Sequence, residues 1–367
     1  MYPDDVKFCA KDGARLLTGV TGSPTPPTPP LGVQSVTPPR PAAAAPPPPP
    51  APMPGGPRTV DFSKLAGQLL DNRYQVAKKV GEGGMSFVYL AQDTNTGEKV
   101  AIKILSPALI KDQNAMARLR REAALGGRLA HPNVCHIIRL GETNTGLVYI
   151  VMPFVQGELL CDRTNRMGRI PLAEAAGFVR DMAAGLQVAH DLGIIHRDLK
   201  PENIMVVSRP DGTERAVVMD FGLAKERQMS AEVQKLTATG IVLGTPEFMS
   251  PEQLRGKPLD PRTDIYSLAI MVFEMLTGKL PFPGRTQQEI MIARLKGEPI
   301  PIRQMRPELD IPVAVEKVLQ KAMARDADQR YASTMEFGEA FSKAASGQAD
   351  GDGESGGGGL LGKMFGR

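Results

Sequence analysis

The chain of 367 residues is long enough for one or two domains, and its content of 42% hydrophobic and 23% charged residues is typical of a globular protein with a sizeable core. Its formal net charge is only +4, and no basic run is interleaved with aromatic residues, so the sequence does not indicate a nucleic-acid-binding protein. The three cysteines, Cys9, Cys135 and Cys161, are too scattered for a disulfide framework, which predicts a cytoplasmic location. No signal-peptide pattern opens the chain, and its most apolar window, residues 265–276, is shorter than the roughly 18 residues of a membrane-spanning helix. We therefore expect no membrane span.

Residues 1–20 contain the pattern FCAKDG, which resembles one knuckle of a zinc ribbon. A closed structural zinc site needs four ligands, and only Cys9 and Asp12 are at hand here. Two interpretations stay open: an unmetallated remnant or small turn, and one half of a ribbon whose cysteine pair lies upstream. Zinc bound by a longer chain would favour the second interpretation.

Residues 21–73 are predicted to be a disordered linker. The stretch 21–57 is dominated by proline, which cannot build a core and favours an extended polyproline II spacer. An alternative function for residues 21–57 is that of a ligand for a proline-binding module.

A strand-like pattern begins at Tyr74, is interrupted by the glycine-rich sequence GEGGMS at residues 81–86, and then resumes. Glycines allow backbone N–H groups to approach phosphate oxygens closely. The next predicted strand contains VAIK, in which Lys103 follows three apolar residues, and burying an unpaired lysine there would be costly. The structural alternative is a lysine that reaches solvent at a sheet edge.

The segment 196–203, with the sequence HRDLKPEN, places a carboxylate, an amine and an amide between two apolar runs. Farther along the chain, the sequence DFG at residues 220–222 adds a second carboxylate after another apolar run. Such a set predicts a loop site for phosphoryl transfer, which needs oxygen ligands for a metal, a base for a hydroxyl group and positive charge for phosphates.

Together, these motifs resemble those of bacterial Hanks-type (eukaryotic-like) serine/threonine protein kinases. The resemblance extends over about residues 74–342, with the third glycine of the phosphate-covering loop replaced by Ser86. It implies an α+β, two-lobed protein kinase fold, with a β-sheet and one main helix in the N-lobe and a mostly helical C-lobe. It also implies ATP-dependent phosphorylation of serine and threonine residues on proteins, with Mg²⁺ as the metal.

The resemblance implies specific roles in the C-lobe loops. Asp198 would orient the substrate hydroxyl group and accept its proton, and Lys200 would stabilise the charge of the transferring phosphoryl group. Asn203 and Asp220 would hold magnesium. Asp264 would brace the backbone of the catalytic loop, and Glu252 would pair with Arg330.

On the nucleotide side, the resemblance implies that Lys103 holds the phosphates while paired with Glu122, the only glutamate between Lys103 and Gly141. Gly126 and Gly127 fall within the same helical pattern, which suggests a loosely held helix that is ordered by phosphorylation or by a partner. Met152 would be the gatekeeper, while Pro153 and Val155 would contact adenine through their backbone. The other expected nucleotide contacts are Val80, Gly81, Gly83, Gly84, Val88 and Ala101.

Three further predictions concern the rest of the chain. Residues 172–190 have an apolar stripe typical of an amphipathic helix, in which His190 is interpreted as a packing or capping residue. Thr237 and Thr239 resemble an autophosphorylation pair whose phosphate Arg197 would receive, and the alternative is that they are ordinary loop residues. Residues 343–367 are predicted to be a glycine-rich disordered tail, and its terminal apolar-basic patch makes a poor membrane anchor.

Two other functional classes stay open. A pseudokinase would normally lack Lys103, Asp198 or Asp220, and all three are present. An adaptor would act mainly through its proline-rich arm. The expected partners are protein substrates with serine or threonine acceptors and, for trans-autophosphorylation, a second copy of the chain.

Overall fold

The computed structural model describes residues 64–83, 86–106, 113–221 and 246–347. The predictions on the Cys9 segment, the proline-rich stretch 21–57, Gly84, the Thr237/Thr239 pair and the tail after residue 347 lie outside these ranges.

The N-lobe is built on a six-stranded antiparallel sheet with the strand order β1-β2-β3-β4-β6-β5. Its inward-facing side chains, among them Tyr89, Ile102 and Tyr149, are almost fully buried. The strands are β1 Leu69–Leu70, β2 Tyr74–Gly83, β3 Ser86–Asp93, β4 Lys99–Leu105, β5 Arg139–Glu142 and β6 Val148–Pro153. Helix α1, Gln113–Gly126, accompanies this sheet.

The segment 64–73 is part of this lobe, which differs from the predicted linker boundary at residue 73. Leu65 and Leu70 are buried in the N-lobe core, and β1 pairs with β2. The Asp71 carboxylate accepts hydrogen bonds from the Tyr149 hydroxyl group at 2.7 Å and from Arg139 at 2.9 Å. The sequence did not show this because two leucines and one aspartate form no periodic pattern on their own.

The C-lobe is mostly helical and is organised around helix α5, Arg262–Thr277, which is buried over most of its surface. Such a helix is typical of the middle of a lobe, and side chains from Ile265 to Phe273 are at most 1% exposed except for Ser267. Among the described residues its helices are α2 Leu160–Met167, α3 Leu172–Asp191, α4 Pro251–Leu254, α5 Arg262–Thr277, α6 Gln287–Lys296, α7 Ile302–Met305, α8 Val313–Ala322 and α9 Thr334–Ala345. The expected helix over residues 172–190 is α3.

A small antiparallel sheet of three strands carries the loops with the sequence motifs. It consists of β7 Glu158–Leu159, β8 Ile204–Ser208 and β9 Glu214–Val218. The 3-10 turn Pro201–Asn203 leads directly into β8, and Asp220 follows shortly after β9. Within the part of the chain that the structure describes, no helix is long and apolar enough to cross a membrane.

Candidate active site

The catalytic loop is closed by local hydrogen bonds around Asn203. Its amide nitrogen donates to the Asp198 carbonyl oxygen at 2.7 Å and to the Asp198 carboxylate at 3.0 Å, and its backbone N–H donates to the Lys200 carbonyl oxygen. The Lys200 Nζ atom lies 3.6 Å from the Asp198 carboxylate. The three residues that the sequence predicted as catalytic are therefore brought together within one turn.

The second carboxylate is tied to this loop through the backbone next to it. Met219 donates its N–H to the Asn203 carbonyl oxygen at 2.8 Å, and the Met219 carbonyl oxygen lies 2.8 Å from the His196 Nε2 atom. Asp220, the next residue, has a φ of 50°, in the left-handed region that a residue with a Cβ rarely adopts. Such local strain persists only where the surroundings enforce it, and it is common at functional sites.

Asp264 braces the catalytic loop, which confirms the prediction from the resemblance. Its carboxylate is fully buried and accepts the backbone N–H groups of His196 at 2.8 Å and of Arg197 at 3.0 Å. Burial alone would raise the pKa of this carboxyl group. The hydrogen bond with His190 and the electrostatic effect of the His190 and His196 imidazoles outweigh burial and bring the pKa below its ordinary value. Arg197 has a φ of 65°, so the brace holds a second strained residue directly before Asp198.

In this structure Lys103 does not pair with Glu122, the partner predicted for it. The Lys103 Nζ atom pairs with the Asp220 carboxylate at 2.8 Å, whereas Glu122 lies 3.6 Å from the Arg197 guanidinium group. A Lys103–Glu122 pair is absent from the ion pairs formed between described residues. The physical reason is that two cations and two carboxylates share one site, where Glu122 and Asp220 border the same small cavity. The position of α1 therefore determines which carboxylate pairs with Lys103, and the sequence alone does not specify how α1 packs.

Most of the predicted nucleotide contacts lie on neighbouring strands of the N-lobe sheet, β2, β3, β4 and β6. In the sheet register Ala101 is opposite Met152, and Val88 is opposite Lys103 on one side and Gly81 on the other. Met152 and Ala101 are each 7% exposed, while Val80 on β2 is 44% exposed. Pro153 ends β6, Val155 follows it, and Gly83 pairs with Ser86 at the turn between β2 and β3.

The oxygen ligands that Asn203 and Asp220 would provide fit a magnesium ion. Because the Asn203 amide nitrogen donates to Asp198, its amide oxygen remains available as a ligand atom, and the Asp220 carboxylate would supply the other ligand. Mg²⁺ is usually bound by one or two oxygen ligands from the protein together with substrate phosphates and water. In the described ranges no group of three or more His, Cys, Asp or Glu side chains could hold a metal ion. A magnesium ion held by Asn203 and Asp220 would thus need phosphate oxygens and water to complete its coordination.

Sequence reasoning missed three side chains that support the loops. His190 bonds to Asp264 at 2.7 Å, and Gln253 donates to the Arg197 carbonyl oxygen at 2.8 Å. Asn133 donates to the Ala216 carbonyl oxygen at 2.7 Å and so holds β9. The sequence contains no signal for these contacts, since each joins residues that are far apart along the chain.

Glu252 pairs with Arg330 as predicted. The two Arg330 terminal nitrogens donate to the two carboxylate oxygens at 2.7 and 2.8 Å. This pair joins α4 to the segment before α9.

Comparisons with known proteins agree with this geometry. The family model described as "Protein kinase domain" matches residues 74–341. The chain is 35% identical over 280 residues to serine/threonine-protein kinase pkn3 of Myxococcus xanthus, an alignment covering 76% of this chain and 51% of that protein. It is 37% identical over 282 residues to the serine/threonine-protein kinase PknB of Mycobacterium leprae, covering 76% of this chain and 44% of that protein.

Among solved structures, the PknI kinase domain of Mycobacterium tuberculosis is similar, with a TM-score of 0.60 and 27% sequence identity. That alignment covers 76% of this chain and 99% of the PknI chain. The chain spans only about half, or less, of the length of the curated relatives described above. Both the sequence match and the two-lobed architecture therefore establish that this chain belongs to the protein kinase family, with a domain related to the bacterial Hanks-type serine/threonine kinases.

Proposed function

We propose that this chain transfers the γ-phosphoryl group of ATP to serine and threonine hydroxyl groups of proteins. The observation that supports this most directly is the convergence of Asp198, Lys200 and Asn203 in one turn, joined to Asp220 through the bond from Met219 to Asn203. Relatives named as serine/threonine-protein kinases support the acceptor class.

In the proposed reaction, the substrate hydroxyl oxygen forms a bond to the γ-phosphorus while the bond to the β–γ bridging oxygen breaks, and ADP leaves. The Asp198 carboxylate orients the hydroxyl group and receives its proton. The Lys200 ammonium group, next to this carboxylate, stabilises negative charge on the phosphoryl oxygens. A magnesium ion held by Asn203 and Asp220 would neutralise the charge of the phosphates.

Productive nucleotide binding requires a change of ion-pair partners, since Lys103 now faces Asp220. When Asp220 binds the metal, Lys103 becomes available to bind the phosphates. Glu122 on α1 is the carboxylate that would then pair with Lys103 and position it. Glu122 would then leave Arg197, and the Arg197 guanidinium group would bind a phosphate on Thr237 or Thr239. We propose Thr237 and Thr239 as the autophosphorylation sites.

The test uses the purified full chain with radiolabelled ATP, magnesium and an unstructured acceptor protein rich in serine and threonine. Wild type is expected to label the acceptor on serine and threonine, and Asp198→Asn to lower kcat by about 100-fold or more. Asp191→Asn, an exposed carboxylate at the end of α3, is the matched control and should keep full activity. Labelling that is absent in wild type, or that proceeds at an undiminished rate in Asp198→Asn, would reject the proposal.

The regulatory part is tested separately by mapping phosphorylated residues after incubation with ATP. Replacing Thr237 and Thr239 together by alanine should slow the phosphorylation of other proteins. Undiminished activity in this double variant would show that they are ordinary loop residues. A cytoplasmic location, self-association and a proline-binding partner for residues 21–57 remain further proposals.

A further inference from the structure

Helix α6 of the C-lobe contains an arginine that is almost completely buried. Arg294 is 1% exposed, and its guanidinium carbon lies 5.5 Å from the centroid of the Phe282 ring. Burial lowers the pKa of Arg294 from its ordinary value, while the charges of Tyr266 and Glu247 act in the opposite direction. Arginine stays charged in proteins, and a buried charge is costly unless it is well hydrogen-bonded. We therefore expect this side chain to be held by specific acceptors.

The acceptors of Arg294 are backbone carbonyl oxygens in the segment directly before α4. Its Nη2 atom donates to the Glu247 carbonyl oxygen, and its Nη1 atom donates to the Met249 carbonyl oxygen at 3.0 Å. The carbonyl oxygen between these two, that of Phe248, accepts from the Ser267 hydroxyl group on α5 at 2.7 Å. Side chains from two helices thus hold three consecutive carbonyl oxygens.

The same segment, residues 247–250, is linked at its other end to the catalytic loop. The Ser250 N–H group donates to the Gln253 side-chain oxygen at 2.8 Å, and the Gln253 side-chain nitrogen donates to the Arg197 carbonyl oxygen at 2.8 Å. Asp198 is the next residue after Arg197. Hydrogen bonds and short stretches of backbone therefore connect α6 to the residue directly before the predicted base.

This connection belongs to the C-lobe, whereas most of the predicted nucleotide contacts belong to the N-lobe. Lys103 lies on β4 of the N-lobe sheet and pairs with Asp220. ATP and the acceptor chain have to meet at Asp198, so an acceptor that approaches beside the bound nucleotide has to be supported by C-lobe backbone. Residues 247–250 provide such backbone, since Gln253 links them to the catalytic loop. A misplacement of about 1 Å in such a support can lower a rate about 100-fold.

We propose that Arg294 is a positioning residue for the protein acceptor, which fixes the backbone of residues 247–250 so that the acceptor chain lies correctly beside Asp198. The proposal rests on the proposed kinase function. Arginine suits this role because its planar group carries several donors in a fixed geometry and reaches two carbonyl oxygens at once. Arg294 therefore affects the use of the acceptor and leaves KM for ATP unchanged.

The test compares Arg294→Met with Arg294→Lys in the full chain, using the unstructured acceptor protein rich in serine and threonine. We expect Arg294→Met to lower kcat/KM for the acceptor by about 10- to 100-fold, with KM for ATP within about 2-fold of wild type. Arg294→Lys keeps a charged donor without the planar fork and should recover part of this loss. Unchanged acceptor kinetics in Arg294→Met would overturn the proposal, as would an equal rise of both KM values or a larger loss in Arg294→Lys.

Two control variants separate positioning from charge and from stability. Lys296→Met removes an exposed cation from the same helix and should keep the acceptor kinetics of wild type. Leu319→Ala removes a side chain that is 1% exposed in α8, and it should lower the melting temperature but keep the acceptor kinetics at temperatures where it is folded. A loss of kcat/KM for the acceptor in either control that matches the loss in Arg294→Met would overturn the proposal.

Equilibrium binding of the same acceptor protein without ATP separates this proposal from the proposed function, because it needs no catalysis. Binding should weaken by about 10-fold in Arg294→Met and stay unchanged in Lys296→Met, and equal binding by wild type and Arg294→Met would overturn the role of Arg294. If wild type binds the acceptor but transfers no phosphate, the proposed function fails, and the binding comparison alone decides on Arg294. A wild type that neither labels nor binds the acceptor would overturn both.

Discussion

Removing the guanidinium group of Arg330 should destabilise the C-lobe strongly. The Arg330 side chain is 0% exposed and that of Glu252 is 13% exposed, and their bidentate contact has distances of 2.7 and 2.8 Å. Arg330→Met leaves the Glu252 carboxylate buried without this cation, and it also removes the donor to the Ala324 carbonyl oxygen. Breaking a buried pair by removing one partner costs about 3–5 kcal/mol. At about 2–4 °C per kcal/mol for a large domain, the melting temperature should fall by about 6 °C or more.

The assay is thermal unfolding followed by circular dichroism, with two comparison variants. Arg120→Met removes an exposed ion pair with Glu142 and should cost less than about 1 kcal/mol. The double variant Arg330→Met/Glu252→Gln should lose less unfolding free energy than the sum of the losses in the two single variants, because the unpaired charge is gone. The reasoning would be refuted if Arg330→Met melted within about 2 °C of wild type, or if the double variant lost the full sum.

The pH dependence supplies a second check on the same pair. Burial by itself raises the pKa of Glu252, but the Arg330 hydrogen bonds and charge bring the pKa below the ordinary value of 4.5. A lowered pKa in the folded state contributes stability that is present above the unfolded pKa and is lost as the pH falls through the folded value. The stability difference between wild type and Glu252→Gln should therefore be constant near neutrality and shrink below about pH 4.5. A difference that grows on acidification would contradict this sign.

Three other predictions follow from single observations. Lys103→Met should lower kcat/KM for ATP by about 100-fold or more while the chain stays folded, and near-normal ATP kinetics would contradict the phosphate-binding role. A chain that begins at Tyr74 should be less stable than one that begins at residue 64 by about 2–5 kcal/mol, because Leu65, Leu70 and Asp71 no longer contact the N-lobe. Equal melting temperatures of the two chains would contradict the revised boundary. Burial, with smaller contributions from two neighbouring glutamates, raises the pKa of Glu274 to about 7, so its folded-state cost grows between about pH 4.5 and pH 7. Glu274→Gln should therefore stabilise the protein at pH 8 by at most about 3 kcal/mol and have little effect at pH 4, as thermal unfolding at both pH values will show.

Much of the site could be predicted because its contacts are local. Asp198, Lys200 and Asn203 meet within one turn, and β8 and β9 are paired through a short hairpin, so the order of residues nearly determines these contacts. The identity of α5 as a central helix also follows from its composition, since a helix that is apolar all round has to be buried.

The remaining features depend on how distant segments pack. Glu122 was recognised as a unique glutamate, but whether it faces Lys103 or Arg197 depends on the placement of α1, because either pairing satisfies the charges. His190 resembles any other polar residue at the end of a helix, and it acquires a partner only when α3 and α5 bring it against Asp264. The amino-acid sequence alone thus determined the family, the order of the lobes and the residues available for chemistry. Only the tertiary structure decided which charges pair and what holds the catalytic loop in place, because hydrogen bonds between residues far apart in the chain exist only after the helices have packed.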